Sequence, residues 1–319
     1  MKKAHWLAGV ANSRGGKPSG LGLADAGHPL LGAVVETPGA DRFLFSTRLS
    51  LATHGWLADH ALHGNVLVPG AMLLELALHA GDKLGTPRVD KLSMYSPVTL
   101  PAEGAIHLQV AVGERERSGR RKVAVYSRRE DTDEAPGKLE WSLHADGFLA
   151  AAATEQTDTQ GLELWPPVGA QSVVEPAAAY ETLAALGYQY GPTFQGMRAV
   201  WKRGEDVFAE VALPKTVTDA DKFGLHPALL DAAMQSVAAS AALLPAEPGS
   251  LALPFAWEKV RLDAVGARSL RCKLTPAGSD RVRWVLAEGG RRARGGGAPQ
   301  GRGVCQGKRG PGGGTGQQE

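Results

Sequence analysis

Two short segments of the chain carry side chains that could move protons. In the first, His60 lies four residues before Gly64 and nine before Pro69, and an apolar run over residues 71–80 follows at once. An imidazole exchanges a proton near neutral pH. The pattern therefore predicts that His60 is a general base, directed into a pocket by the turn and supported by a buried helix. A histidine satisfied within a hydrophobic core fits the same pattern, and these residues alone leave both interpretations open.

The second segment places one carboxylate at the start of another strongly apolar run. Asp231 and Gln235 stand four residues apart, which puts them on one face of a helix predicted over residues 229–243. Burial among apolar neighbours raises the pKa of a carboxyl group and favours its protonated form, as a general acid requires. An aspartate that only interacts with the positive end of the helix dipole is the alternative.

Further motifs accompany these two segments in a fixed order. They are Gly27–Gly32, the set His60, Gly64 and Pro69, Trp141–Gly147, Trp165–Pro167, Gly187–Gly196, the pair Asp231 and Gln235, and Leu253–Trp257. Each motif alone could arise by chance, whereas six or seven in this order and spacing are specific. Over about residues 22–286 the chain resembles the dehydratase domain of modular type I polyketide synthases.

The resemblance implies an α+β fold, the tandem or double hotdog, in which two antiparallel sheets each wrap a central apolar helix. The residues agree, because each half pairs one apolar helix with several predicted strands. The predicted strands are 43–51, 106–112 and 122–127 in the first half, and 207–213, 260–262, 269–274 and 282–286 in the second. The predicted boundaries are an upstream linker over 1–24, an N-terminal hotdog over 25–152, an inter-hotdog linker over 153–168, a C-terminal hotdog over 169–288 and a tail over 289–319.

The implied activity is dehydration of a 3-hydroxyacyl thioester, held on an acyl carrier protein, to the trans-2-enoyl thioester during polyketide chain extension. Loss of water needs a base for the weakly acidic C2 proton and an acid for the poorly leaving hydroxide. The resemblance implies His60 as the base and Asp231 as the acid. Since C2 and C3 are bonded neighbours, we expect the two side chains to lie a few ångströms apart, with His60 neutral and Asp231 protonated.

The resemblance also implies a set of supporting and substrate-binding residues. Gln235 is expected to orient Asp231, and Tyr190 to form a hydrogen bond near the substrate hydroxyl. A backbone N–H in the turn from Gly64 to Val66 is expected to contact the thioester carbonyl. The remaining expected members of the site are Pro69, Gly191, Pro192, Phe194 and Leu230.

No cofactor is expected in this domain, and the substrate is expected to be carried on the phosphopantetheine of the acyl carrier protein. His63 could share a metal with His60, but only Asp59 and Glu75 stand near enough in sequence to complete a set, so no metal is expected. The expected partners are the carrier protein and neighbouring polyketide synthase domains such as an acyltransferase and a ketoreductase, with a homodimer as a further option. An enoyl isomerase or cyclase on the same fold, and a non-catalytic acyl-binding or structural hotdog, are the alternatives.

Composition favours a cytoplasmic enzyme domain with no membrane partner. The chain has 319 residues, of which 43% are apolar. Its apolar runs are too short to span a bilayer, and its first residues lack the hydrophobic stretch of a signal peptide. Cys272 and Cys305 are too few for a disulfide framework or a cysteine zinc site.

Residues 289–319 differ sharply from the rest of the chain. They hold 13 of the 41 glycines, six Lys and Arg residues and one Glu, so they contribute +5 to a net charge of +2 and the body carries −3. No aromatic residue there could stack on a base, so a nucleic-acid partner is not expected. Val304 is the only large apolar residue, which predicts disorder. The abrupt change after Glu288 suggests a frameshift in GC-rich DNA, with a real variant or an expression artefact as alternatives, and puts the last strand of the second half in doubt.

Overall fold

The computed structural model describes residues 22–130, 140–152, 162, 164–239, 254–278, 281–289 and 302–309. The strands of the first half are β1 (Ala24–His28), β2 (Leu31–Glu36), β3 (Phe43–Leu49), β4 (His60–Leu62), β5 (Asn65–Val68), β6 (Arg88–Met94), β7 (Val98–Thr99), β8 (Ile106–Arg115), β9 (Arg121–Arg129) and β10 (Ser142–Ala150). The strands of the second half are β11 (Gln171–Val174), β12 (Tyr188–Tyr190), β13 (Met197–Arg203), β14 (Asp206–Ala212), β15 (Pro254–Leu262), β16 (Ser269–Pro276), β17 (Arg281–Glu288) and β18 (Arg302–Arg309). The helices are α1 (Gly70–Lys83), α2 (Pro176–Ala185) and α3 (Pro227–Ala239).

Helices α1 and α3 form the centres of the two halves. Pro69 has extended backbone angles just before α1, and the residues from Ala71 to Leu78 are all buried, as in a helix that the core surrounds on every side. In α3 the run from Ala228 to Ala233 is buried in the same way, and the helix packs on β13, β14 and β16. Among the described helices, none combines the length and the apolar character that crossing a bilayer requires.

The strands form one long antiparallel sheet that runs through both halves. Its order is β1-β2-β3-β8-β9-β10-β6-β15-β18-β17-β16-β14-β13-β11. Buried residues alternate with partly exposed ones along β8, so one face of that strand packs on the core. The resemblance implied two separate sheets, but β6 pairs with β15, with Leu92 opposite Trp257, and joins them edge to edge. The double hotdog fold is confirmed, with this continuity as an addition.

A second, small sheet brings the two halves together at one point. Its order is β12-β4-β5-β7, so β12 of the second half pairs with β4 of the first. In that pairing Tyr190 lies directly opposite His60. The pairing therefore fixes the position of a predicted catalytic residue against a segment of the other half.

The strongly apolar elements were predicted well by sequence. The predicted helices and all seven predicted strands overlap elements of the structure, with shifts of a few residues at their ends. Helix positions 240–243 lie outside the described residues, as do most of the predicted linkers, at 1–21 and 153–161. The domain boundaries stay predictions.

The prediction for the tail is wrong over Arg302–Arg309. These residues form β18, which pairs antiparallel with β15 on one side and with β17 on the other. Both neighbours offer backbone N–H and C=O groups that need partners, and backbone pairing does not depend on apolar side chains. The strand completes the second sheet. A missing last strand is therefore no longer an argument for a frameshift. Residues 290–301 and 310–319 lie outside the described residues.

Ending the chain at residue 289 is expected to destabilise the second half. The truncation removes two ladders of backbone hydrogen bonds and exposes the facing edges of β15 and β17. We expect thermal unfolding of the shortened chain at a temperature at least about 3 °C lower than that of the full chain. Equal melting temperatures would show that β18 contributes nothing to the stability of the sheet.

Candidate active site

A tight hairpin holds His60 at the edge of an internal cavity. The residue begins β4, directly after a 3₁₀ turn at Gly55–Asp59. The two residues between β4 and β5, His63 and Gly64, have φ angles of 47° and 81°, which suit a two-residue hairpin. The hairpin brings Leu67 beside the imidazole, and its carbonyl oxygen lies 2.8 Å from His60 Nδ1.

The contact with Leu67 selects the reactive nitrogen of His60. A carbonyl oxygen only accepts hydrogen bonds, so Nδ1 carries the proton of the neutral ring and Nε2 keeps a free lone pair. Nε2 faces Asp231 of α3, with 3.7 Å between Nε2 and Oδ1. The prediction that the two side chains lie a few ångströms apart is confirmed, and the ring has the tautomer that a base needs.

Asp231 lies in surroundings that favour its protonated form. It is the fifth residue of α3 and is 5% exposed. Burial raises the pKa of the Asp231 carboxyl above its ordinary range, and His60 and a hydrogen bond from Gln235 oppose the shift only in part. A carboxylic acid that keeps its proton to higher pH than usual is suited to donate that proton to a leaving group.

Gln235 and Tyr180 fix the orientation of Asp231. Gln235 Nε2 donates to Asp231 Oδ2 at 2.7 Å, and the Tyr180 hydroxyl donates to Gln235 Oε1 at 3.0 Å. The same hydroxyl accepts the backbone N–H of Met197 at 3.0 Å. Because Oδ2 already accepts a hydrogen bond, the proton of neutral Asp231 belongs on Oδ1, the oxygen that faces His60. Burial raises the pKa of Tyr180 to about 12, so its hydroxyl remains a donor.

Tyr180 is a functional residue that the sequence did not predict. It lies on α2, an Ala-rich helix in a stretch to which no element was assigned. Its partner Gln235 is 55 residues away along the chain, and no local pattern signals that contact. The expected orienting role of Gln235 agrees with its hydrogen bond, and its own orientation comes from Tyr180.

Tyr190 and Tyr188 line the cavity from β12. The Tyr190 ring lies 5.6 Å from the His60 ring, and the two tyrosine rings stack at 5.5 Å between centroids. Burial raises the pKa of Tyr190 well above its usual value, so its hydroxyl is a donor in the site. The position agrees with the expected hydrogen bond near the substrate hydroxyl.

The cavity is mostly apolar, with the polar groups gathered at one place. Its volume is about 320 Å³. His60, Asp231, Gln235, Tyr188 and Tyr190 line one part of it. Its apolar walls include Leu62, Val68, Leu73, Met94, Leu183 and Met234. A mostly apolar cavity with a few convergent polar groups is typical of a small-molecule site.

The structure does not bring Gly64 and Val66 into the cavity lining. Gly64 is exposed in the hairpin turn, and its N–H donates to Gln189 Oε1 at 2.9 Å. Val66 pairs with Ala61 across the hairpin. The expected contact of an N–H in this turn with a thioester stays a prediction; in the structure the Gly64 amide has a side-chain acceptor outside the cavity.

Gly70, unlike the residues of the hairpin turn, is part of the cavity lining. It is the first residue of α1 and lines the cavity. The first N–H groups of a helix have no carbonyl partner within the helix and lie at the positive end of its dipole. The Pro69-Gly70 pair before the apolar run was the sequence signal for this helix start, with Pro69 as its capping residue.

The other expected members of the site pack around His60 and Asp231. Phe194 is fully buried, with its ring 5.0 Å from that of His60. The Gly191 N–H donates to the Asp59 carbonyl at 2.8 Å, and an added side chain at Gly191 would collide with the Asp59 carboxylate. Pro192 begins the 3₁₀ turn that contains Phe194. Leu230 is buried in the core next to Asp231.

His63 packs outside the cavity, so it does not share a site with His60. Its ring lies over Gly187, where an added side chain would collide with it. Within the described ranges, His, Cys, Asp and Glu side chains never gather in a group of three or more that could hold a metal ion.

Comparison with protein families gives two matches, one for each half. A family described as polyketide synthase dehydratase domain matches residues 28–128. A family described as polyketide synthase dehydratase N-terminal domain matches residues 157–291. The two matches together cover more than half of the chain.

Curated relatives are much longer than this chain. Polyketide synthase GfsE of Streptomyces halstedii is 46% identical over 289 residues, which is 90% of this chain and 7% of the relative. Mycoketide-CoA synthase of Mycobacterium tuberculosis is 43% identical over 290 residues, 91% of this chain and 7% of the relative. The chain thus spans about 7% of the length of these relatives.

Solved structures show the same fold over nearly their whole length. The dehydratase domain from the terminal module of the rifamycin polyketide synthase is 41% identical with a TM-score of 0.79, covering 91% of this chain and 99% of that one. The erythromycin dehydratase is 36% identical with a TM-score of 0.75, covering 91% and 98%. Because both halves match these families and the solved structures share the double hotdog fold, the chain belongs to the polyketide synthase dehydratase family.

Proposed function

We propose that this chain removes water from a 3-hydroxyacyl thioester to give the trans-2-enoyl thioester, with His60 as the base and Asp231 as the acid. The observation that carries the proposal is the geometry of the pair. The Leu67 carbonyl leaves the lone pair on His60 Nε2, and Gln235 leaves the proton on Asp231 Oδ1, 3.7 Å away. A base and an acid thus face one small volume, as elimination across two bonded carbons requires.

The reaction follows from these protonation states. His60 Nε2 takes the proton from C2, and the electron pair of that C–H bond forms the C2–C3 double bond. The C3–O bond breaks as the hydroxyl takes the proton from Asp231, so water leaves. His60 is then protonated and Asp231 ionised, and transfer of one proton from Nε2 to Oδ1 across 3.7 Å restores the starting state.

The amide of Gly70 supports the developing negative charge on the thioester oxygen. Removal of the C2 proton places charge on that oxygen, and a donor already in position stabilises it without reorganisation. The N-terminus of α1 supplies both an N–H group and the positive end of a helix dipole at the cavity wall. The apolar walls then hold the acyl chain.

The carrier and partners are proposed from the family. The substrate arrives on the phosphopantetheine arm of an acyl carrier protein, and the domain itself uses no cofactor. Acyltransferase and ketoreductase domains of the same synthase are the proposed neighbours, in the cytoplasm, with a homodimer as a proposed assembly. The much greater length of the relatives supports a multidomain setting.

Replacing Gln235 by alanine is expected to slow dehydration without abolishing it. The substitution removes the donor that orients Asp231 but leaves both groups that transfer protons, so we expect kcat to fall about tenfold. Tyr180→Phe removes one neutral hydrogen bond further from the reaction, and we expect a fall of about twofold to fivefold. Steady-state kinetics on a soluble thioester would measure both. A Gln235→Ala variant as inactive as Asp231→Ala would contradict an orienting role.

Incubation with a 3-hydroxyacyl thioester tests the proposed function. We expect a product lighter by one water, with the absorbance of a conjugated trans-enoyl thioester. An isomerase would move a double bond of an enoyl substrate without a change in mass, and a cyclase would close a ring. A non-catalytic hotdog would bind the thioester and leave it unchanged. Any of these three outcomes in place of water loss would contradict the proposal.

A further inference from the structure

The carboxylate of Glu75 links the two halves at a place outside the cavity. Glu75 is the sixth residue of α1 and is 2% exposed. Its Oε1 accepts the backbone N–H of Gly224 at 2.7 Å, and its Oε2 accepts that of Leu225 at 2.9 Å. Both amides belong to the segment that leads directly into α3, the helix that carries Asp231.

His28 supplies a third donor to the same carboxylate. His28 Nδ1 accepts the N–H of Leu30 at 3.1 Å, so the ring proton is on Nε2, which lies 3.2 Å from Glu75 Oε1. Since Nδ1 acts as an acceptor, His28 is neutral and donates a hydrogen bond to Glu75. The carboxylate thus collects three N–H donors from two other parts of the chain, which suits an ionised acceptor.

The segment from Phe223 to His226 depends on these hydrogen bonds for its backbone. It belongs to no helix or strand, so the part-buried amide of Gly224 and the buried amide of Leu225 need a partner from elsewhere. The carbonyls of Phe223 and Gly224 accept the Gly266 N–H at 3.2 Å each. Hydrogen bonds to Gly266 and to Glu75 therefore both fix the segment, and those to Glu75 connect it to α1.

The segment leads directly into α3, and its last residue caps that helix. His226 Nδ1 accepts the N–H of Ala228 at 3.2 Å, and its carbonyl accepts that of Leu229 at 2.9 Å, so His226 caps the helix. Burial lowers the pKa of His226 to about 4, which keeps Nδ1 an acceptor near neutral pH. At the other side, α1 begins just after β5, whose Leu67 carbonyl orients His60.

We propose that Glu75 is a positioning residue for dehydration: by tying the start of α3 to α1, it sets the placement of Asp231 against His60. The proposal rests on the proposed function of that pair. A hydrogen-bonded path runs from Glu75 through Leu225 and His226 into the first turn of α3, and Asp231 follows in the next turn. A displacement of about 1 Å in a reacting group can cost about a hundredfold in rate, so a small shift of α3 is enough to slow the reaction.

The test compares Glu75→Gln with a matched change in the core. Glutamine keeps one acceptor oxygen but presents an NH₂ group to a buried N–H or to His28. At least one of the hydrogen bonds that Glu75 accepts is therefore lost. We expect kcat per folded molecule to fall about tenfold with KM changed by less than about twofold, because the substitution lies outside the cavity lining. His28→Ala leaves both amide bonds of Glu75 in place, and we expect a smaller fall in kcat, of about threefold.

Val110→Ala is the matched control. Val110 is fully buried on β8 of the first half and lies outside the cavity lining, so its truncation is expected to destabilise the fold. Circular dichroism and thermal unfolding give the folded fraction of each variant, and kcat is expressed per folded molecule. We expect Val110→Ala to keep the kcat of the unaltered chain at a melting temperature lowered like that of Glu75→Gln.

Each outcome decides the proposal. Unaltered kcat in Glu75→Gln, a fall no larger than in Val110→Ala, or a rise in KM alone would overturn it. If Glu75→Gln does not fold, His28→Ala decides: a fall in kcat at constant KM supports the proposal, and unaltered kcat overturns it. The unaltered chain is assayed alongside, so a failure of that chain to release water counts against the proposed function and not against Glu75.

Discussion

Alanine at either His60 or Asp231 is expected to abolish water loss while the chain still folds. Each substitution removes one of the two proton transfers, and a positioned acid or base contributes about 10²- to 10⁴-fold to a rate. We therefore expect kcat/KM for a 3-hydroxyacyl thioester to fall by at least about a thousandfold in each single variant. Product formation followed by mass and absorbance gives the rate, and circular dichroism confirms the fold.

The two substitutions are not expected to add. Once the base or the acid is gone, the remaining group cannot complete the elimination, so the double variant should be about as inactive as either single one. Full turnover by one single variant would remove that residue from the mechanism. Additive losses in the double variant would mean that His60 and Asp231 act independently.

The rate is expected to fall as the pH rises above the raised pKa of Asp231. The reaction needs a protonated Asp231, and burial raises the pKa of this group, so activity is lost only as pH rises through that raised value. We expect this fall as the alkaline limb of a kcat/KM profile.

The pH profile of the Gln235→Ala variant tests the direction of this pH effect. The hydrogen bond from Gln235 lowers the pKa of Asp231, so removal of the amide raises that pKa. We expect the alkaline limb of the kcat/KM profile to move to higher pH in the variant, beyond any fall in the maximal rate. A limb that stays in place or moves to lower pH would mean that Asp231 is not the acid that titrates there.

The sequence predicted the features that depend on local composition. The apolar runs of α1 and α3 indicated two buried helices, and the stretch 106–112 was predicted as a strand that the structure has as β8. His60 and Asp231 stood out because each is a titratable group beside an apolar run. Their placement across one cavity was implied by the family resemblance and is confirmed by the distance between them.

The features that the sequence did not predict depend on contacts between distant segments. Tyr180 meets Gln235 because α2 packs beside α3, and β6 of the first half pairs with β15 of the second. Strand β18 forms by backbone pairing between two existing edges, a process to which its Gly-rich sequence gives no signal. The tautomer of His60 likewise depends on the carbonyl of Leu67, seven residues away across the hairpin turn.

A crystal structure of the Asp231→Asn variant with a bound 3-hydroxyacyl thioester tests the central claim most directly. This substitution removes the acid without changing its size, so the substrate should remain intact. We predict the substrate C2 within about 3.5 Å of His60 Nε2 and the C3 hydroxyl within about 3 Å of the side chain at position 231. A substrate bound with C2 and C3 away from both side chains, or with both carbons beyond the reach of His60, would contradict the account.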